Sequence, residues 1–250
     1  EGIYKGNKIS DYFNEVLTKS VVSYVEQRIH ENPNARLRIM EIGAGTGGTT
    51  EGLLPRLLPF QDNIDQYLYT DISKAFLLHA HSKYVKDYPY VVPQLFDVTK
   101  SLLGQSIKPD SCDVIIATNV LHATPNIRET IRNAKAALHR SGIILINELS
   151  NQSWFAHLTF GLLEGWWLVQ DKALRIPGSP GLYPKTWKCI LEEEGFGSVL
   201  FPAEAFHGLG QQLIIAESDG LVKQPTNTLP EVSVKSSLRS SMNNIIKTSK

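Results

Sequence analysis

Short apolar runs alternate with amphipathic stretches along most of the chain. Residues 114–117 are apolar at every position, which is typical of a strand buried on both faces of a parallel sheet. Apolar residues at helical spacing separate such runs, and Ile127, Ile131 and Ala134 fall on one helix face. This alternation predicts an α/β fold in which helices flank a doubly wound, mostly parallel sheet.

The pattern predicts seven strands, at residues 37–42, 67–71, 91–96, 112–118, 143–148, 196–201 and 211–217. It predicts helices at residues 12–29 (an N-terminal helix within 10–30), 49–58, 73–85, 127–138 and 186–194. The last helix should start at Thr186 as N-cap and stop at Gly195.

Two segments do not follow this alternation of strands and helices. Residues 152–185 contain three tryptophans followed by clustered prolines and glycines, and we expect a small helical cap over a pocket. Beyond Ser218 the composition shifts to Lys, Ser, Asn, Thr and Pro without apolar periodicity. This predicts one domain at residues 1–218 and a flexible linker at 219–250.

The composition argues against a nucleic-acid-binding protein and a membrane protein. The 250 residues carry 25 basic and 25 acidic side chains, so there is no basic field to gather nucleic acid. No apolar run approaches the roughly 20 residues that cross a bilayer, and no signal peptide is visible. We therefore expect a cytoplasmic protein, monomeric as an excised domain. The two cysteines, Cys112 and Cys189, lie in apolar segments, which predicts reduced core residues and no metal site.

A glycine-rich turn follows the first predicted strand. Its spacing is G-x-G-x-G at Gly43, Gly45 and Gly47, unlike the dinucleotide pattern G-x-G-x-x-G. Such a turn brings backbone N–H groups at a helix N-terminus close to a ligand. It predicts an S-adenosylmethionine loop; the alternatives are a plain tight turn or another nucleotide site, including that of an NAD-dependent oxidoreductase. The expected cofactor contacts are Glu41, Gly43, Ala44, Gly45, Thr46 and Gly47.

Acidic residues at the ends of the next two strands extend this site. Asp71 ends the second strand, where α/β cofactor folds bind ribose hydroxyls, although it could instead cap the following helix. Ile72 follows it in the expected cofactor set. Phe96 and Asp97 end the third strand and are expected to pack on the adenine and to accept from its amino group; a solvated Asp97 is the alternative.

A histidine follows the fourth strand. His122 should lie at the same sheet edge as the glycine turn, where it is a candidate general base. Glu148 ends the neighbouring fifth strand and is placed to accept the other ring N–H of His122. Asn119 and Val120 precede the histidine and complete the expected cofactor contacts. A loop-capping histidine and a surface glutamate are the alternatives.

Together the glycine turn, the stretch Tyr69-Thr-Asp-Ile-Ser73, the stretch Asn119-Val-Leu-His-Ala-Thr124 and Glu148 resemble the methyltransferase domains of modular polyketide synthases. Residues 160–167 and 176–182 resemble the C-methyltransferase domains of bacterial synthases of the trans-acyltransferase type. The resemblance covers roughly residues 1–218.

The resemblance implies a class I, Rossmann-like methyltransferase sheet of seven strands with the last antiparallel, and His122 and Glu148 as catalytic dyad. It implies S-adenosylmethionine-dependent methylation of the α-carbon of a β-ketoacyl chain on an acyl carrier protein, beside neighbouring synthase domains. O-methylation of a β-hydroxyl by the same pair and a non-catalytic scaffold are the alternatives. Candidate substrate walls are Tyr12, Trp166, Trp167, Tyr183 and His207.

Overall fold

The computed structural model describes residues 7–152, 158–159, 161–162 and 164–223. Its strands are β1 (Leu37–Ile42), β2 (Ile64–Asp71), β3 (Val91–Leu95), β4 (Cys112–Thr118), β5 (Leu138–Leu149), β6 (Phe196–Leu200) and β7 (Gln211–Ser218). Its α-helices are α1 (Lys8–Glu31), α2 (Gly48–Leu57), α3 (Lys74–Tyr84), α4 (Ile127–Ala137) and α5 (Pro184–Glu193).

The strands form one seven-stranded sheet in the order β3-β2-β1-β4-β5-β7-β6. Strand β7 runs antiparallel to both of its neighbours, while the other pairs are parallel. The strand order reverses between β1 and β4, which creates the crevice where ligands bind in open α/β sheets. The predicted fold class, including the antiparallel last strand, is confirmed.

Helices cover both faces of the sheet. Phe13 of α1, Leu53 of α2 and Ala80 of α3 belong to one buried apolar cluster. Ile131 of α4 and Ile190 of α5 belong to the other. Successive residues of the central strands point alternately into the two clusters, which explains why those strands are apolar at every position.

Several element boundaries differ from the predictions, and at β5 and α5 the reason is local. Strand β5 begins at Leu138 rather than at residue 143, because α4 passes into it without a loop. Helix α5 begins at Pro184, whose fixed φ suits a first helical turn. Its N-cap is Tyr183, so the assignment of Thr186 as N-cap was wrong. Gly195, with φ of 82°, follows the helix end as predicted.

The two cysteines have different environments. Cys112 is buried in β4, and burial raises the pKa of its thiol to about 11. Cys189 is exposed and donates to Glu193 Oε1 at 3.2 Å. The prediction that both are core residues was therefore wrong for Cys189, which lies on the outer face of α5.

The two irregular segments are partly described. The cap segment contains 3-10 helices at Glu164–Trp167 and Lys172–Leu174, while its residues 153–157, 160 and 163 lie outside the described residues. Residues 219–223, assigned to the linker from the sequence, contact the core: Asp219 Oδ1 lies 2.5 Å from Lys135 Nζ. Residues 224–250 lie outside the described part. Among the described residues, no helix has the length and apolar character needed to cross a bilayer.

Candidate active site

The glycine-rich turn lies at the carboxyl edge of the sheet, beside the crevice between β1 and β4. Gly43 and Gly45 have φ angles of 61° and 58°, in the left-handed region that glycine adopts without steric cost. A Cβ on Gly43 would lie 2.3 Å from Val120 Cγ2. Glycine at this position therefore lets the turn approach the loop that follows β4.

The turn forms one wall of a cleft of about 470 Å³, a size typical of small-molecule sites, which span about 300–1,000 Å³. Among the predicted cofactor residues, those that line it are Glu41, Gly43, Ala44, Gly45, Thr46 and Asn119. Helix α1 adds Ser10, Asp11 and Asn14. No local signal in the sequence marks these three residues, because a helix face that covers a cleft has the same polar pattern as one that faces water.

Glu41 lines the cleft, but its carboxylate bonds to the interior. The residue is 2% exposed, and its Oε2 accepts hydrogen bonds of 2.5 Å from the hydroxyls of Thr50 and Tyr67. Burial raises the pKa of Glu41 to about 7, against the lowering effect of the two hydroxyls. Glu41 thus joins β1, β2 and α2 beneath the turn, and its contact with the cofactor stays a prediction.

Asp71 connects the end of β2 to the glycine turn. Its Oδ2 accepts the Gly45 N–H at 2.9 Å and its Oδ1 accepts the Ser73 N–H at 2.8 Å. The carboxylate therefore fixes the turn and holds the backbone just before α3. The N-cap of α3 is Ser73, so the alternative that Asp71 caps this helix was wrong. Each carboxylate oxygen keeps a further lone pair for a hydroxyl donor, and ribose binding stays a prediction.

His122 and Glu148 are in direct contact. Glu148 is completely buried at the end of β5, and its Oε2 lies 2.5 Å from His122 Nδ1. Its Oε1 accepts the backbone N–H groups of Val120, Leu121 and His122 at 2.9, 2.7 and 3.3 Å. One carboxylate therefore fixes both the loop after β4 and the imidazole ring.

This contact leaves the far nitrogen of the His122 ring available for chemistry. Because Glu148 accepts from Nδ1–H, the neutral ring has its lone pair on Nε2. The indole of Trp166 packs edge to face on the imidazole with the ring centroids 5.7 Å apart. Both residues are buried. The arrangement is that of a general base shielded from bulk water.

A buried ion pair holds the same loop from the cap segment. Arg175 Nη1 donates to the carbonyls of His122 and Pro180 at 3.1 and 2.9 Å, and Nη2 donates to the carbonyl of Thr124 at 3.0 Å. Asp171 binds the guanidinium through both oxygens, at 2.7 and 3.1 Å. We call Arg175 and Asp171 the loop latch. Sequence reasoning missed it because the cap segment has no regular pattern.

Known proteins share this architecture. A family model described as a methyltransferase domain matches residues 40–144. Polyketide synthase PksM of Bacillus subtilis is 54% identical over 224 residues, which are 90% of this chain and 5% of that protein. The crystal structure of the DszA carbon methyltransferase matches with a TM-score of 0.82 and 38% identity, over 88% of this chain and 57% of that chain. The chain belongs to the methyltransferase domains of polyketide synthases.

The cofactor of this methyltransferase domain is S-adenosylmethionine, as predicted. The crystal structure of the trans-methyltransferase CalH in complex with SAH matches with a TM-score of 0.68 and 30% identity, over 86% of this chain and 60% of that chain. In the present structure the cleft volume and the close approach at Gly43 fit such a ligand. The glycine turn lines this cleft and Asp71 supports the turn, and their contact with the cofactor stays a prediction.

Phe96, Ile72 and Asp97 are three further residues of the predicted cofactor set. Phe96 is buried in the apolar core, and Ile72 is 71% exposed. Asp97 accepts the N–H and hydroxyl of Thr99 and pairs with Lys100 at 2.9 Å. Partial burial opposes ionisation, but these partners outweigh it and hold the pKa of Asp97 below its usual value. Cofactor contacts of the three predicted residues stay predictions.

Of the predicted substrate walls, Trp166 contacts the imidazole of the dyad. Trp167, Tyr183 and Tyr12 are 60%, 47% and 39% exposed. His207 is buried, and burial lowers the pKa of its imidazole. Their contact with substrate stays a prediction. The described part of the chain contains no group of three or more His, Cys, Asp or Glu side chains that could hold a metal ion.

Proposed function

We propose that this methyltransferase domain adds a methyl group to the α-carbon of a β-ketoacyl chain that a carrier protein presents on phosphopantetheine. The observation that carries the proposal is the buried contact of 2.5 Å between His122 and Glu148, on the loop that meets the glycine turn. The similarity to a carbon methyltransferase supports carbon as acceptor. The similarity to a synthase supports an acyl carrier protein and neighbouring synthase domains as partners.

The dyad supplies the proton transfer that carbon methylation requires. A carbon between a ketone and a thioester must lose a proton before it becomes a nucleophile, and a positioned imidazole is suited to take it near neutral pH. His122 Nε2 takes this proton, and the electron pair of the C–H bond passes into the enolate. Glu148 stabilises the resulting imidazolium through Nδ1. The bound cofactor supplies the electrophilic sulfonium methyl group.

Positioning of the reacting groups and exclusion of water also contribute to the proposed mechanism. The Glu148 carboxylate and the loop latch hold the loop from two sides, while Trp166 shields the imidazole from water. Holding the enolate carbon and the methyl group in attack geometry lowers such a barrier by as much as about 7–11 kcal/mol. The proposed catalytic residues are therefore His122 as base and Glu148 as the group that orients it.

Proton exchange tests this proposal apart from methyl transfer. β-Ketoacyl carrier protein in deuterated buffer, without cofactor, should gain α-deuterium faster with the wild-type domain than with His122→Ala or with buffer alone, as read by intact mass. Adding S-adenosylmethionine should then place one methyl on the α-carbon. Equal exchange with wild type and His122→Ala would remove the histidine from the base role.

A β-hydroxyacyl carrier protein is the matched control substrate. Its α-hydrogen is flanked by the thioester alone and is far less acidic, so we expect neither exchange nor methylation. Fragment masses that place the methyl on oxygen, or preferential use of the β-hydroxyacyl chain, would assign the domain to O-methylation instead.

A further inference from the structure

Four carboxamide side chains form a continuous chain of hydrogen bonds between the catalytic loop and α1. Gln211 Nε2 donates to Asn119 Oδ1 at 2.9 Å and to Asn147 Oδ1 at 2.8 Å. Asn147 Nδ2 then donates to Asn14 Oδ1 at 3.1 Å. We call these residues the amide chain. It joins β7, β5, the loop after β4 and the N-terminal helix.

The backbone fixes the middle of the amide chain. Gln211 begins β7, and Asn147 is 1% exposed in β5. Asn119 has φ of 51°, and its backbone N–H donates to the Asn147 carbonyl at 2.8 Å. Buried carboxamides held in this way have little freedom to choose other partners, so the direction of each hydrogen bond sets the orientation of the next amide.

That direction leaves uncommitted the amino groups of two residues that line the cleft. Asn14 and Asn119 both line the cleft and both use Oδ1 within the amide chain. Their Nδ2 groups have no hydrogen-bond partner in the part of the chain that the structure describes. Lys83 also lines the cleft, but its Nζ is paired with Glu51 at 3.3 Å. The two amides are thus uncommitted donors, and donors require an acceptor on the ligand.

We propose that Asn14 and Asn119 bind the carboxylate of the cofactor's amino acid end, in an orientation set by Gln211. A carboxylate is an acceptor-only group that takes several N–H donors at once. Asp11 lies one helical turn before Asn14 and also lines the cleft. The Asp11 carboxylate would attract the ammonium of the same zwitterion and repel its carboxylate. The proposal rests on the cofactor occupying this cleft.

The first test changes the donor without changing its shape. Asn14→Asp keeps an acceptor for Asn147 but replaces the amino group with an anionic oxygen. Calorimetry should show an affinity for S-adenosylhomocysteine lower by about 10–100-fold, the range expected when a charged hydrogen bond is lost and like charges meet. Affinity for 5′-methylthioadenosine, which lacks the amino acid, should be unchanged. Asn34→Asp is the matched control, because Asn34 is exposed before β1 at the opposite edge of the sheet.

The second test reverses the amide chain from outside the cleft. Gln211→Glu presents acceptors where Nε2 donated, so Asn119 and Asn147 must turn their amino groups toward it. Asn119 then shows Oδ1 to the cleft, and Asn14 is forced to turn as well. We expect the same selective loss of S-adenosylhomocysteine affinity, although neither ligand-facing residue has changed.

Comparing the affinities for S-adenosylhomocysteine and methylthioadenosine distinguishes an effect on the amino acid end from an effect on the whole cleft. Methylthioadenosine affinity reports whether the nucleoside part of the cleft is intact and folded, independently of the amides and of the acceptor atom that the enzyme methylates. Unchanged S-adenosylhomocysteine affinity in Asn14→Asp or Gln211→Glu would overturn the proposal. Equal losses for both ligands would also overturn it, since the variants would then act on the whole cleft. Lower methylation with intact affinity would assign the amides to the acyl substrate instead.

Discussion

Glu148 uses one oxygen to hold the loop backbone and the other to hold the His122 ring. Glu148→Gln preserves the size but has one acceptor end and one donor end. Because the loop N–H groups require the acceptor, the amino group must face Nδ1. The ring hydrogen then moves to Nε2, where no lone pair is left to take the substrate proton.

We therefore expect Glu148→Gln to lower kcat for methylation by about 10²–10⁴-fold, the usual worth of a general base, and nearly as much as His122→Ala. Affinity for S-adenosylhomocysteine, measured by calorimetry, should be unchanged in both variants. A nearly wild-type kcat for Glu148→Gln would show that the orientation of the ring is not needed.

Glu41 gives a pH-dependent prediction for stability. Burial raises its pKa to about 7 from an ordinary 4.5, so between these values the folded state binds more protons than the unfolded state. Stability must then fall as pH rises through this window. At 1.36 kcal/mol per pKa unit, the titration of Glu41 lowers the free energy of unfolding by about 2–4 kcal/mol across this pH window.

Glu41→Gln should remove this contribution, because an amide oxygen accepts from the same hydroxyls without titrating. We expect the free energy of unfolding in urea to fall by less between pH 5 and pH 8 in Glu41→Gln than in wild type. Glu26→Gln, at an exposed position of α1, is the control. Identical pH profiles for wild type and Glu41→Gln would contradict the prediction.

We expect Asp71 to affect cofactor binding through two routes. Asp71→Ala removes the proposed ribose acceptor and also releases the N–H groups of Gly45 and Ser73. We expect calorimetry to show weaker binding of both S-adenosylhomocysteine and methylthioadenosine, by about 1–3 kcal/mol, because both ligands contain the ribose. This parallel loss contrasts with the selective loss expected for the amide chain. Unchanged affinity for either ligand would argue against the ribose contact.

The loop latch connects the cap segment to the loop after β4, which carries His122. Arg175→Met removes three hydrogen bonds to loop and cap carbonyls and leaves the partly buried Asp171 without its cation. Breaking a buried pair from one side costs about 3–5 kcal/mol. Because one lost contact is to the His122 carbonyl itself, we expect a lower kcat as well as a lower Tm.

Arg132→Met separates these two effects. Arg132 of α4 pairs at 2.7 Å with Glu194, the residue after α5, and makes no contact with the His122 loop among the hydrogen bonds of the described residues, so its loss should lower Tm without lowering kcat measured well below Tm. If Arg175→Met likewise lowered Tm alone, the latch would be a stabilising contact with no influence on the catalytic loop.

Helices and strands were predicted correctly from the sequence where the pattern of neighbouring residues determines them. Strands such as β4, buried on both faces, are continuous apolar runs, and its predicted bounds match the structure. Boundaries moved where a neighbouring residue decided them: the Asn7 side chain caps α1 and extends it to Lys8. The loop latch could not be predicted from the sequence, because Arg175 and the His122 carbonyl lie 53 positions apart. They meet only through the folded cap segment.

The topology of the sheet explains which parts of the candidate site could be predicted from the sequence. Parallel strands end at a common edge, so placing Glu148 and His122 after adjacent strands predicted their meeting. Helix α1 is different, because it is held by burial of Phe13 and Leu17 against the sheet. Which of its polar residues then face the cleft follows from that packing, and Asn14 could not be identified beforehand.

A buried lysine ties the residues after β7 to the core. Lys135 is 1% exposed, and its Nζ donates to the carbonyls of Glu194 and Gly195 at 2.6 and 2.9 Å and to Asp219 Oδ1 at 2.5 Å. Asp219 supplies the negative charge for this buried ammonium. Partial burial opposes ionisation of Asp219, but Lys135 outweighs it and lowers the pKa of that carboxyl. Its stabilising effect is therefore present at neutral pH and is lost as pH falls through the lowered pKa.

Two truncations test this boundary. A chain ending at Ser218 loses Asp219 and leaves the Lys135 charge buried without a carboxylate, which costs about 1–3 kcal/mol for a half-exposed partner and lowers Tm by roughly 3–10 °C. A chain ending at Lys223 keeps the pair and should melt like the full chain in scanning calorimetry. Asp219→Asn in the full chain should reproduce most of the first loss, because the charge goes while the segment stays. Equal melting of the two truncations would place the end of the core at Ser218, as the sequence composition alone suggested.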